Sequence, residues 1–284
     1  MSIFNLIINL EDKKLQNKLK KRPIGVFDSG IGGLTVAKSL FDILPNEDII
    51  YLGDSARLPY GTKSKETIIL YSIECLKFLL KKNVKFIVVA CNTASANALP
   101  FLQKITKVPV IGVITPGAEA AVSKSKSERI GVIATMSTVQ TESYKKEIHK
   151  KNKGAKVFSK ACSLFVQLAE DGWTDNKIAE LVAKEYLQEF TKLNIDTLIL
   201  GCTHYPILKN TIQKVIGKKI LLIDSGEETA KQAKIILTQK NLLNTQKKAG
   251  EHKFFVTDFQ HKFKDVSERF LGRKLSKVQK IKLN

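Results

Sequence analysis

Short apolar runs alternate with helical patterns along most of this 284-residue chain, and that alternation narrows the choice of fold more than any other feature. The runs lie near 24–27 (IGVF), 48–52 (DIIYL), 86–90 (FIVVA), 109–113 (PVIGV), 130–134 (IGVIA), 155–159 (AKVFS), 196–200 (DTLIL) and 220–223 (ILLI). Helical spacing fills stretches between them, notably 64–82, 137–151 and 175–193. Strand followed by helix, repeated, predicts parallel sheets with helices on both faces. The helix over 175–193 is expected to start on Thr174 as N-cap, with Asp175 in its first turn.

Two cysteines occupy matching contexts, IVVACNTAS around Cys91 and TLILGCTHYP around Cys202. Each closes an apolar run and precedes small polar residues, which places both sulfurs at the carboxyl ends of parallel strands, where open α/β sheets bind ligands. IGVFDSG at 24–30 also resembles IGVIATM at 130–136, an offset of 130 − 24 = 106, while the two cysteines are 202 − 91 = 111 apart. The similar offsets suggest two related α/β lobes with a site between them. Chain-breaking residues Pro116 and Gly117, and the segment IDSGEE near 223–228, mark the expected crossings. The expected division is an amino-terminal extension over 1–22, a first lobe of 23–115 with 225–284, and a second lobe of 116–224.

Hydrophobic content of 43% and charged content of 26% are those of a globular protein with an ample core. No run approaches the roughly 18 apolar residues of a membrane span, and MSIFNLIINLEDKK lacks the basic start and cleavage site of a signal peptide. Four cysteines without a C-x-x-C pair fit reduced thiols in a cytosol. Of these, Cys75 and Cys162 read as small apolar filler, whereas polar neighbours make Cys91 and Cys202 candidates for chemistry. Cys202 with His204 offers too few ligands for a metal. His149, His252 and His261 lie in polar or lysine-rich surroundings and read as surface residues.

The net charge is +20, nearly all of it from lysine. Nucleic-acid binding is one reading of such a balance, but arginine is sparse, aromatics are not interleaved, and no nucleic-acid motif is present. A solvated lysine surface, with a field that gathers small anions, is the better one. Near the amino terminus Ile3, Leu6, Ile7 and Leu10 fall at helical spacing. A helix packed on the body or on a partner subunit is the first expectation, with a membrane-surface helix and disorder as alternatives.

VFDSGIGGLTV follows a strand and brings dinucleotide binding to mind, with Asp54 as the ribose contact. The fingerprint fails at its third glycine, where Thr35 stands, and Asp28 would oppose a pyrophosphate. A tight turn whose glycines let a small ligand reach backbone N–H groups, with Asp28 as a working carboxylate, fits better. A plain helix N-cap at Asp28 or Ser29 would also account for both residues.

Four segments in order and register, FDSGIGGLTV, GDSARLPYGTKS, ACNTAS and GCTHYP, resemble the cofactor-independent aspartate/glutamate racemase family from about residue 23 to the carboxyl end. The chain departs from that pattern in its amino-terminal extension, its lysine content, and ACSLFVQLAEDG, which lacks the prolines expected beside Cys162 and Leu168. The resemblance implies two pseudo-symmetric parallel-sheet lobes with the active site in the cleft between them. It implies racemisation of glutamate by two thiols, supplying D-glutamate for peptidoglycan in the cytosol, without pyridoxal phosphate, nucleotide or metal. It leaves room for a homodimer and calls for neither nucleic acid nor membrane insertion.

By the same resemblance Cys91 takes the α-proton of D-glutamate and Cys202 that of L-glutamate. Asp28 assists Cys91, His204 assists Cys202, and Glu170 orients His204. Free cysteine ionises near pH 8.5, so either thiolate needs such help. Substrate binding falls to Asp28, Ser29, Tyr60, Gly61, Asn92, Thr93, Thr203 and His204. The histidine of GCTHYP separates the glutamate-specific pattern from the aspartate-specific one.

Overall fold

The structure is a computed structural model that describes residues 15–258, 260–275 and 277–283. The expectations for Ile3, Leu6, Ile7 and Leu10 lie outside the described residues.

Two parallel sheets make up the frame. The first contains β1 (Ile24–Asp28), β2 (Ile49–Gly53), β3 (Phe86–Val89) and β4 (Val110–Gly112), extended by β9 (His252–Val256) and β10 (Val278–Lys280). Its order is β10-β9-β2-β1-β3-β4. The second contains β5 (Arg129–Ala134), β6 (Lys156–Ala161), β7 (Thr197–Gly201) and β8 (Leu221–Asp224), in the order β6-β5-β7-β8. Every pairing among the described strands is parallel. The fold class expected from the alternation is therefore the one observed, and β1, β2, β3 and β7 are buried along their full length, as apolar runs covered on both faces should be.

The hint of a repeat has a topological counterpart. The first sheet contains β2-β1-β3-β4 and the second is β6-β5-β7-β8, so the strand that carries IGVFDSG and the strand that carries IGVIATM hold the same place. Cys91 follows β3 and Cys202 follows β7, again equivalent positions. Strands β9 and β10 have no place in the repeat and were not legible as strands: HKFFV opens on two polar residues and is buried only over its last three, and VQK lies at a sheet edge with two of its three residues exposed.

The helix Ser225–Gln239 follows β8, capped by Asp224, whose Oδ1 accepts from Gly226 N at 2.8 Å and Glu227 N at 3.3 Å. One continuous core joins the sheets, running from Ile24, Val26 and Leu34 to Ile133, Phe165 and Leu200. That shared core holds the carboxyl ends of β3 and β7 in a fixed relation.

Three local expectations are corrected. Pro116 and Gly117 do not break the chain: both lie in the first turn of the helix Ile114–Lys124, where the N–H that proline lacks has no intrahelical partner to lose. The pattern over 137–151 is two helices, Met136–Gln140 and Ser143–Lys151, separated by Glu142 in the left-handed region at φ 53°. The helix over 175–193 runs Lys177–Lys192 and is capped by Asn176, whose Oδ1 accepts from Ala179 N at 2.9 Å. The Thr174 carbonyl and Asp175 Oδ1 accept from Thr211 Oγ1, at 2.5 and 3.2 Å.

Candidate active site

A cavity of about 290 Å³ lies between the carboxyl ends of the two sheets and takes its wall from both. Cys91, Asn92 and Thr93 come from the end of β3, and Cys202, Thr203 and His204 from the end of β7. The β1 turn adds Ser29 and Gly30, and a loop after β2 adds Leu58 through Thr62. A site of this size suits one small ligand, and its mixed polar and apolar wall is typical of such sites.

Cys91 caps the helix Asn92–Ile105, its sulfur accepting from Ala94 N at 3.4 Å, and it hydrogen-bonds Ser29 Oγ at 3.4 Å. A helix amino terminus favours a thiolate, yet burial dominates, with Asp28 adding to it, and pushes Cys91 up to about 12. Cys202 feels a different environment, with His204 Nδ1 3.8 Å from its sulfur. His204 Nε2 stands 3.1 Å from Glu170 Oε1. Burial alone would lower the imidazole, but hydrogen bonds to Cys202 and Glu170 outweigh it and hold His204 at about 10. Both ring nitrogens therefore face acceptors, the arrangement an imidazolium satisfies.

Asp28 lies beneath the cavity wall and is fully buried. Its Oδ2 accepts from Gly30 N at 2.8 Å, while Oδ1 has no hydrogen-bond partner. Burial raises its pKa, opposed by His204 and by the N–H groups of the turn. Neither Asp28 nor Ser29 caps a helix, because the helix begins at Leu34 after Gly33. Gly32 and Gly33 are needed for close packing of protein on protein, while Gly30 lies on the cavity wall. A β-carbon on Gly32 would overlap Thr203 Oγ1 and His204 Nδ1, and one on Gly33 would overlap Asp28.

The remaining candidates gather at the same place. Tyr60 is only 1% exposed, and its hydroxyl is committed to Asp54 Oδ2 at 2.5 Å, where Arg57 Nε also donates at 2.7 Å. Gly61 faces Thr135, and Thr93 Oγ1 meets Thr135 Oγ1 at 3.0 Å. The Thr203 carbonyl accepts from Thr35 Oγ1 at 2.9 Å, which locks the β7 turn onto the β1 turn. Asp54, read above only as a ribose contact, is thus an anchor for the loop that carries Tyr60.

Sequence reading missed several contributors. Thr135 and Met136 line the cavity at the repeat positions of Ser29 and Gly30, the offset of 135 − 29 = 106 being the signal that would have found them. Ser163, Val166 and Gln167, from the segment that departs from the family pattern, also line it. Phe270 and Arg269, from the helix Gln260–Leu271, carried no local signal. Phe270 meets His204 edge-on at 5.5 Å and 86°, and Arg269 Nη2 donates to the Glu170 carbonyl at 2.8 Å.

Cys75 and Cys162 are buried, as filler should be. His149 and His252 are not plain surface residues: His149 Nε2 lies 3.0 Å from the Ala155 carbonyl, and His252 stacks on Phe41 at 3.8 Å. The side chain of His261 is outside the described residues. Among the described residues no group of three His, Cys, Asp or Glu is arranged to hold a metal ion, and no helix is long and apolar enough to cross a membrane.

Fold and site together define a two-sheet parallel α/β protein whose cleft is walled by paired thiols and an imidazole–carboxylate pair. The model of the Asp/Glu/Hydantoin racemase family matches residues 24–233, and the chain belongs to that family. It is 49% identical over 262 residues to the glutamate racemase of Geobacter metallireducens, covering 92% of this chain and 97% of that one. Among solved structures it is similar to glutamate racemase from Francisella tularensis in complex with D-glutamate, with a TM-score of 0.87 and 48% identity, over 93% of this chain and 99% of the other. An isoform of the Bacillus anthracis enzyme gives a TM-score of 0.90 at 42% identity, over 93% and 98%.

Proposed function

We propose that this chain interconverts L-glutamate and D-glutamate by transferring protons at the α-carbon between Cys91 and Cys202, and that it supplies D-glutamate for peptidoglycan in the cytoplasm. The observation that carries the reading is one small cavity with a thiol from each sheet on its wall. Similarity to glutamate racemases over nearly the whole chain supports the substrate.

In the L-to-D direction Cys202, as thiolate, removes the α-proton from one face, and the Cys91 thiol delivers its proton to the other. The substrate ends with as many protons as it began, and the enzyme ends with its charge moved from Cys202 to Cys91. The reverse direction starts from that second form. His204, held protonated at neutral pH, stabilises the negative charge on Cys202, and Glu170 holds the ring in place. Asp28 assists at Cys91, whose ionisation its own charge opposes, so one of the two keeps its proton. Ser29, Asn92, Thr93, Thr203 and the Tyr60–Gly61 backbone receive the substrate's carboxylates, N–H groups at a strand or helix end being suited to anions.

The same reading takes residues 23–115 with 225–284 as one lobe and 116–224 as the other. Sheet membership supports it, although the helix Ile114–Lys124 spans the first boundary. A homodimer is compatible with it.

The test is α-carbon exchange in heavy water. Wild-type protein should incorporate deuterium into either enantiomer and bring both to zero optical rotation. Cys91→Ser and Cys202→Ser should each lower racemisation by about 10³-fold, the scale on which a positioned acid or base contributes. Undiminished racemisation in either variant ends the two-thiol mechanism.

A further inference from the structure

Asn92 follows Cys91 directly, is 2% exposed, and lines the cavity. The two ends of its amide have unlike fates. Oδ1 accepts from the Tyr144 hydroxyl at 2.6 Å, whereas Nδ2 is buried with no hydrogen-bond partner. A buried donor left unpaired costs free energy unless something else pairs with it, and the residue that carries this one lines the cavity.

Tyr144 belongs to the helix Ser143–Lys151, which packs on the second sheet, while Asn92 belongs to the first. It is 2% exposed, and its ring lies against Gly201, with Gly117 close by. Burial raises its pKa, against a hydrogen bond with the Ser225 side chain, so the hydroxyl keeps its proton and stays a donor.

We propose that Tyr144 is a positioning residue that fixes the Asn92 amide with its N–H groups toward the substrate, making carboxylate binding depend on a contact between the two halves of the molecule. This rests on the glutamate reading above and deepens it. A tyrosine hydroxyl has one proton, and here it goes to Oδ1. With the amide turned over, Oδ1 would face the cavity, acceptor against the acceptor oxygens of a carboxylate. Holding the donor end outward favours binding of the anion without touching the proton transfer itself.

Tyr144→Phe keeps the ring and removes the hydroxyl. The expected result is a KM raised about tenfold for both enantiomers, the loss of one well-placed hydrogen bond, with kcat changed less than threefold. Asn92→Asp retains an acceptor for Tyr144 but brings a negative charge toward the carboxylate, so KM should rise further. The double variant should then be no worse than Asn92→Asp alone, because the hydroxyl reaches the substrate through that amide, its other partner, Ser225, lying outside the cavity wall. An unchanged KM in Tyr144→Phe, or additive effects in the double variant, overturns the inference.

A second readout uses wild-type protein and is independent of turnover. The side-chain NH₂ resonances of Asn92, identified by their loss in Asn92→Asp, should shift when D-glutamate is added. No shift under saturating D-glutamate overturns the inference even if Tyr144→Phe fails to fold. Wild-type protein that binds glutamate with that shift but racemises nothing would sink the proposed function and leave the amide assignment standing.

Discussion

Cys91 and Cys202 carry the same side chain in unlike surroundings, and the surroundings separate their parts. Burial and the neighbouring Asp28 keep Cys91 a thiol, up to about 12, suited at rest to giving a proton. Cys202 has a protonated imidazole 3.8 Å away, suited to holding negative charge. The form that accepts L-glutamate therefore needs the proton on His204. Its pKa is raised from 6.5 to about 10 in the folded protein, so that proton is in place through neutral pH and is lost as pH rises through about 10. We expect kcat/KM to fall about tenfold per pH unit above that point. Because enantiomers have equal free energy, the two values of kcat/KM must fall together, which initial rates from each enantiomer will check. A profile still rising at pH 11 excludes His204 as the required cation.

At the scale of elements, the decisive contacts join turns rather than regular structure. The β1 turn meets the β7 turn at Gly32, and Asp28 meets its own helix start at Gly33, both without room for a methyl group. Gly32→Ala and Gly33→Ala should each destabilise the fold by about 1–3 kcal/mol, as overpacking does, and Gly32→Ala should also displace His204 from Cys202. Urea unfolding gives the first quantity and the exchange rate the second; full activity in Gly32→Ala would show that the two turns are free to separate. The presence of a turn after FDSG was legible in the sequence. Its partner was not, because Thr203 and His204 lie far along the chain and only folding brings them there. The N-cap falls at Asn176 rather than Thr174, and Thr211, from another helix, donates to the Thr174 carbonyl and to Asp175 Oδ1, contacts that no local pattern announces.

For the whole molecule, stability has a vulnerable point away from the cavity. Lys85 and Glu47 form an ion pair at 2.5 Å, each side chain 1% exposed. Burial raises Glu47 and lowers Lys85, so each carboxylate or ammonium depends on its partner to stay charged. Lys85→Met should cost about 3–5 kcal/mol by leaving Glu47 uncompensated, whereas Lys85→Met with Glu47→Leu should recover most of it. Thermal unfolding of the single and double variants distinguishes this from simple loss of packing, in which case the double variant would be worse than the single. Neither residue touches the cavity, so glutamate turnover below the melting temperature should be retained in the double variant.

The period and order of apolar runs were enough to specify parallel sheets, the equivalence of the two strand-end cysteines, and their place at the mouth of a cleft, since each is a property of short segments. Which groups surround each sulfur was decided only by tertiary structure. Asp28, Glu170, Phe270 and Tyr144 reach the site from separate elements, and burial, which moves a thiol or an imidazole by several pH units, exists only once those elements have packed.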